Sequence, residues 1–119
     1  MKTPIEIAYY YKVRWGGERE FRDLFVKNHL AVLSAQKTSG RLRDIRMYEP
    51  KFHGEGRADW HFMVVLTFAD WAAVGASVDE AALARQLFPD EETFLREERR
   101  RFELVEAHWD VVLKPVALP

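Results

Sequence analysis

Four stretches of the chain alternate apolar and polar residues with a period of two, as strands do when their faces meet different surroundings. In the first, residues 4 to 14, Ile5, Ile7, Tyr9, Tyr11 and Val13 share one face, and Tyr10, Lys12 and Arg14 share the other. The second, about Arg41 to Phe52, sets Ile45 and Met47 against Asp44, Arg46 and Tyr48. The third, Asp59 to Phe68, sets Trp60, Phe62, Val64, Leu66 and Phe68 against His61, Met63 and Thr67. A fourth covers about His108 to Lys114.

Between these the period turns helical. From Glu18 to about Lys37, the residues Phe21, Leu24, Phe25, Asn28, Val32 and Ala35 fall on one face. Trp15-Gly16-Gly17 reads as the turn before this helix, and Ser39-Gly40 as its stop. Asp70 suits the N-cap of a short turn over Trp71 to Val74. Ser77-Val78-Asp79-Glu80 has capping-box spacing for a helix through Leu87. Pro89-Asp90 opens a last helix, roughly Glu91 to Val105.

The order is β-α-β-β-α-β, with the second helical region in pieces. It predicts an α+β, ferredoxin-like domain over residues 1 to 119, with a four-stranded antiparallel sheet and helices on one face. Strands one and three form the central pair. The other face must meet water, a ligand or a second subunit.

Composition narrows that choice. With 18 Lys and Arg against 19 Asp and Glu, the chain lacks the basic footprint of a nucleic-acid or anionic-membrane binder. RNA binding of the RRM kind also needs aromatics on the free face of strand three, whereas Trp60, Phe62 and Phe68 share the helix-facing parity. Having no cysteine, the chain offers no thiolate site or cysteine nucleophile. Neither a signal peptide nor a membrane-length apolar run is visible, so a cytoplasmic location is expected.

Strand parity gathers the chemistry on the free face. Tyr10, Lys12 and Arg14 come from strand one, Arg46 and Tyr48 from strand two, and His61 and Met63 from strand three. His108 and Asp110 come from strand four, so His61 or His108 can serve as general base and Asp110 as its orienting carboxylate. The bland alternative is a dimer seam laced by ion pairs, such as Lys12 or Arg46 with Asp110 or Asp44. The connection between strands two and three places His53, Glu55, Arg57, Asp59 and His61 at every second position. Gly54, Gly56 and the basic Arg57 argue against a metal there, leaving His53 and Arg57 as ligand-contacting or solvated loop residues. His29 reads as a packing histidine, with haem ligation the alternative. Glu92–Arg96, Glu97–Arg101 and Arg99–Glu103 read as i,i+4 pairs on a solvated helix face.

The strand order, the aromatic first strand and the run His53-Gly54-Glu55-Gly56-Arg57-Ala58-Asp59-Trp60 resemble the dimeric α/β-barrel superfamily, near its NIPSNAP and antibiotic-biosynthesis-monooxygenase-like groups. That resemblance implies two open sheets paired face to face, with a ligand cavity in each half. It implies activities ranging from cofactor-independent oxygenation to haem binding and lactone or dehalogenation chemistry. A face bearing Ala8, Tyr10, Tyr48, Met63, Val65 and Val112 also suits burial against a second copy. The expectation is a homodimeric small-molecule enzyme without organic cofactor, using acid/base or oxygenase-type chemistry on an apolar or aromatic substrate in a sheet-face cavity. The alternative is a non-catalytic small-ligand or haem-binding dimer.

Overall fold

Directly opposed residues of antiparallel strands share a face, so strand register decides what each side of this sheet carries. The computed structural model describes residues 3–52 and 59–119. Its strands are β1 (Ile5–Val13), β2 (Leu42–Tyr48), β3 (Phe62–Phe68) and β4 (Val105–Leu113). They form one antiparallel sheet in the order β2-β3-β1-β4, so β1 and β3 are central as expected. Ile7, Tyr11 and Val13 of β1 and Phe62, Val64, Leu66 and Phe68 of β3 are buried against the helices. The architecture is the expected α+β, ferredoxin-like one.

The helices are α1 (Glu18–Leu24), α2 (Leu30–Thr38), α3 (Trp71–Gly75), α4 (Glu80–Leu87) and α5 (Glu91–Glu103). A tight turn delivers the chain from β1 into α1. Gly17 N–H donates to the Arg14 carbonyl at 2.9 Å, and Gly16 has φ +84°, which favours glycine. Gly40, at φ +89°, closes α2 as the Ser39-Gly40 signal predicts. Asp70, Asp79 and Asp90 cap α3, α4 and α5 by accepting the amides of Ala73, Ala82 and Thr93. The cap of α4 is therefore Asp79, not Ser77. The helix starts at Glu80, and only Asp79 stands immediately before it.

Three further expectations are corrected. First, α1 and α2 do not form one continuous α-helix, because Phe25–His29 is a π-helical turn between them. Second, β3 begins at Phe62 and Trp60 is off the helix-facing side; its ring meets Tyr10 edge-on at 5.5 Å. Third, β4 is turned over relative to the sequence reading. It starts at Val105, a register shift falls between Lys12 and Val13, and Tyr10 then pairs with Trp109 and Tyr11 with His108. Trp109, Val111 and Leu113 therefore share the open face with Ala8 and Tyr10, whereas His108, Asp110 and Val112 lie on the helix side. Every β4 residue from His108 onward is exposed, so the helix layer leaves this edge strand bare. Polar side chains are at home on its helix side for that reason.

The last helix also departs from its solvated reading. Arg101 is only 2% exposed. Its Nε and Nη2 donate to the two carboxylate oxygens of Glu98 at 3.1 and 2.9 Å. The guanidinium lies 4.6 Å from the ring centre of Phe102, 5.7 Å from Phe25 and 5.8 Å from Phe21. Arg100 reaches across to Glu20 at 2.8 Å, and Glu97 pairs with Lys27 at 2.9 Å. Pairs to α1 and the π-turn, together with the i,i+3 pairs Arg101–Glu98 and Arg100–Glu103, thus stand where i,i+4 pairs were expected along α5.

Removing one member of a buried ion pair leaves the other charge uncompensated. Glu98→Gln should lower unfolding free energy by about 3 kcal/mol, measured by urea titration. A loss no larger than that of the exposed Glu103→Gln would show that the Arg101 charge is balanced elsewhere.

Candidate functional site

Tyr9 and Tyr11 place hydroxyl-bearing rings on the helix-facing side of β1, where aliphatic residues would pack more completely. Above them the π-turn and α2 present His29 and Leu33, α5 presents Arg101 and Phe102, and β4 presents His108. These side chains line a half-open cavity of about 270 Å³ between sheet and helices, whose far end is formed by Arg41, Phe68 and Glu80. Because β4 is uncovered, His108 is exposed at one side of it.

His108 is held in a defined state. Its Nδ1 lies 2.8 Å from the carbonyl oxygen of Tyr10. A carbonyl can only accept, so Nδ1 carries the hydrogen and Nε2 of the neutral ring keeps its lone pair. The ring is stacked on Tyr11 at 4.2 Å and on Tyr9 at 6.4 Å. His29 meets Phe25 edge-on at 5.2 Å. Burial pushes its pKa below the ordinary histidine value, and the positive charge of Arg101 pushes the same way, which keeps its imidazole neutral. Burial raises the pKa of Tyr9, helped by the charge of Asp110, and burial raises that of Tyr11 against the pull of Arg101. Both phenols therefore stay protonated. The cavity combines a lone-pair nitrogen, a neutral, half-buried imidazole, two hydroxyls and two guanidinium groups.

The residues expected from sequence divide between this cavity, the open face and the ends of the strands. Only His108 lines the cavity. Asp110 shares its side of β4 but faces Tyr9 across the strand pair, and no hydrogen bond joins it to His108 among the described residues. Tyr10, Arg46, Tyr48 and Met63 do come together on the open face, as does Lys12 by its pairing with Ala107. There Arg46 pairs with Glu6 at 2.5 Å and Asp44 at 3.2 Å. Arg14 leaves that face, donating from Nε to the carbonyl of Glu103 at the end of α5.

His61 is committed to the backbone. Beyond the last β1–β3 pair, Tyr11 with Phe62, its ring continues where the strand stops. Val13 N–H donates to Nδ1 at 2.9 Å, leaving the hydrogen on Nε2, 3.5 Å from Glu18 Oε1. It borders a second, larger half-open hollow of about 470 Å³ with Trp15, Glu18, Phe52 and Trp60. His53 and Arg57 lie outside the described residues. No three histidine or carboxylate side chains converge as a metal set among the described residues, and no helix there is long and apolar enough to cross a membrane.

No family model matches the sequence, and no curated protein does. Solved structures do match along nearly the full chain. A NIPSNAP family protein from Agrobacterium tumefaciens is 17% identical at TM-score 0.61, covering 100% of this chain and 91% of that one. A putative antibiotic biosynthesis monooxygenase from Caulobacter crescentus is 16% identical at TM-score 0.58, with 98% and 92% covered. The third, SnoaB from Streptomyces nogalater, is described as a cofactor-independent oxygenase. It is 13% identical at TM-score 0.57, with 97% and 95% covered. The chain has the fold of the NIPSNAP and monooxygenase-like proteins. This ferredoxin-like fold is what the likeness shows; at such identity the site must be argued from its own side chains.

Sequence reasoning missed Tyr9, Tyr11, Arg41 and Arg101 as site residues of this ferredoxin-like chain. A signal existed for Arg101. The inner stripe of α5 runs Phe94, Glu98, Arg101 and Leu104, so two charges sit at helical spacing between apolar residues.

Two outcomes follow from the histidines. An unfolded histidine titrates near pH 6.5. As pH falls below that value the unfolded chain binds the proton before buried His29 does, so stability declines until folded His29 titrates in turn. His29→Gln should flatten the stability curve between about pH 7 and about pH 5, read by urea midpoints at each pH; an unchanged slope would exclude His29 as its source. His61→Ala should cost about 1–2 kcal/mol by stripping the Val13 amide of its acceptor, and His61→Asn should recover part of it.

Proposed function

We propose that the helix-side cavity is a small-molecule active site for proton abstraction, with His108 as the base. The observation that carries this reading is the hydrogen bond from His108 Nδ1 to the Tyr10 carbonyl, which leaves Nε2 as the basic atom of a ring bordering the cavity. A dry cavity of about 150 Å³ takes benzene, so about 270 Å³ suits a one- or two-ring aromatic molecule. The C–H bond next to a substrate carbonyl breaks, its proton passes to Nε2, and its electron pair becomes an enolate. Donors from Tyr11, His29 and Arg101 are grouped to receive the developing negative oxygen. No organic cofactor is required for that step. An enolate is also electron-rich enough to react with dioxygen, which links this chemistry to a cofactor-independent oxygenase of the same fold.

The test is solvent deuterium exchange into the methylene group of deoxybenzoin, followed by mass spectrometry. His108→Gln should slow exchange about 100-fold or more, while His61→Gln leaves it within a few-fold. Equal rates in the His108 variant would sink the base assignment, and saturable binding without exchange would favour a ligand-binding role.

The open face supports a homodimer in the same reading. Trp109 is stacked on Tyr10 at 5.3 Å, and Tyr48, Val111 and Leu113 are exposed beside them. The Arg46–Glu6 and Arg46–Asp44 pairs border this patch. A face that is apolar at its centre and charge-balanced along β2 complements its own copy. Sedimentation equilibrium should give a dimer for the wild type and a folded monomer for Trp109→Glu; a wild-type monomer would reject the pairing.

A further inference from the structure

Two guanidinium groups reach the cavity, and they differ in how their charge is met. Arg101 is matched by Glu98 through two hydrogen bonds. Arg41 has no carboxylate within ion-pair distance among the described residues. Its Nε donates to the Ala73 carbonyl at 2.8 Å, its Nη2 to the Val74 carbonyl at 3.2 Å, and its Nη1 to the side-chain oxygen of Gln36. All three acceptors are neutral. They fix the plane of the group over the ring of Phe68, 5.0 Å from its centre, and leave two of the five donors unclaimed.

Glu80 is the carboxylate at this end, and it is turned to Gln36, accepting from Nε2 at 3.4 Å. Glu80 is exposed and Arg41 half-buried. Solvent screens the former more than the latter, so the field at this end of the cavity is positive.

We propose that Arg41 anchors an anionic group, so that the ligand of this cavity is an elongated aromatic acid. This inference rests on the cavity being the binding site. Arg41 precedes β2 and His108 lies on β4, the two edges of the sheet. Their backbones are separated by three strand spacings across the sheet, about 14 Å, and by the span from Ile5 to Tyr11 along it, about 20 Å, and both side chains line one cavity. A carboxylate at Arg41 would hold the opposite end of a ring system over Tyr9 and toward His108. Arg41 thereby selects the substrate and sets its direction, and the proton is taken at the other end.

The probe pair is cinnamate and its neutral isostere cinnamamide, titrated by calorimetry against full-length protein. Cinnamate should bind about tenfold tighter or more, since a charge-assisted pair exceeds a neutral one by that order. Arg41→Gln should erase the difference. Because Arg41 also ties α3 to the chain, a second variant keeps it in place: Gln36→Glu combined with Glu80→Gln. The exchange preserves net charge and the 36–80 hydrogen bond while moving a carboxylate against the guanidinium. It should abolish the preference for the acid. Equal binding of acid and amide by the wild type would overturn the anchor and leave the cavity reading standing. Persistence of the preference in the double variant would also overturn it. Failure of both probes to bind would overturn anchor and cavity together.

Discussion

A positive charge buried among phenyl rings governs the interior of this protein. Arg101 cannot be withdrawn from water without compensation, and Glu98 supplies it from one helical turn away. The same guanidinium bridges Phe21, Phe25 and Phe102, so α1, the π-turn and α5 are packed around one cation. Its field reaches His29 and Tyr11, which face the cavity. Packing of the helix layer thus turns on one side chain, which also adds to burial in keeping His29 neutral.

Hydrogen-bond direction separates the two histidines that sequence alone leaves equivalent. At His61 a backbone amide takes the lone pair of Nδ1, whereas at His108 a backbone carbonyl takes the hydrogen of Nδ1. The first ring is spent on holding the end of β1. The second has its free lone pair aimed away from the backbone and is supported by the stacked ring of Tyr11. Similar residues on either side of β1 therefore have opposite chemical availability.

Alternation made β1, β2 and β3 legible, because their largest runs of apolar positions face one helix layer. The same rule misled at β4. It assumes that apolar means helix-facing, yet the helices do not cover this strand, and Trp109, Val111 and Leu113 stand on the open face instead. Inverting β4 moves His108 and Asp110 to the other side of the sheet, away from Tyr10, Arg46 and Tyr48 with which strand parity had grouped them. Asp70 was legible as a cap from one residue. The burial of Arg101 was not, because local i,i+4 spacing offered partners that the tertiary structure does not use. Of the partners of Arg41, Gln36 is 5 residues away in α2, whereas Ala73 and Val74 are 32 and 33 away in α3, where no local pattern encodes them.

The π-turn at Phe25–His29 amounts to one residue more than an α-helix needs over the same rise. Each α-helical residue turns the chain by about 100°. Deleting a single residue from that turn would let α1 run smoothly into α2 and rotate everything downstream by about that angle. Val32, Leu33 and Gln36, all buried, would swing off the sheet together, and Gln36 would leave Arg41. The length of this helix is therefore an orientational parameter. A descendant chain could lose a residue from an exposed loop with little consequence, but here the loss would unhook the helix from the floor of the cavity.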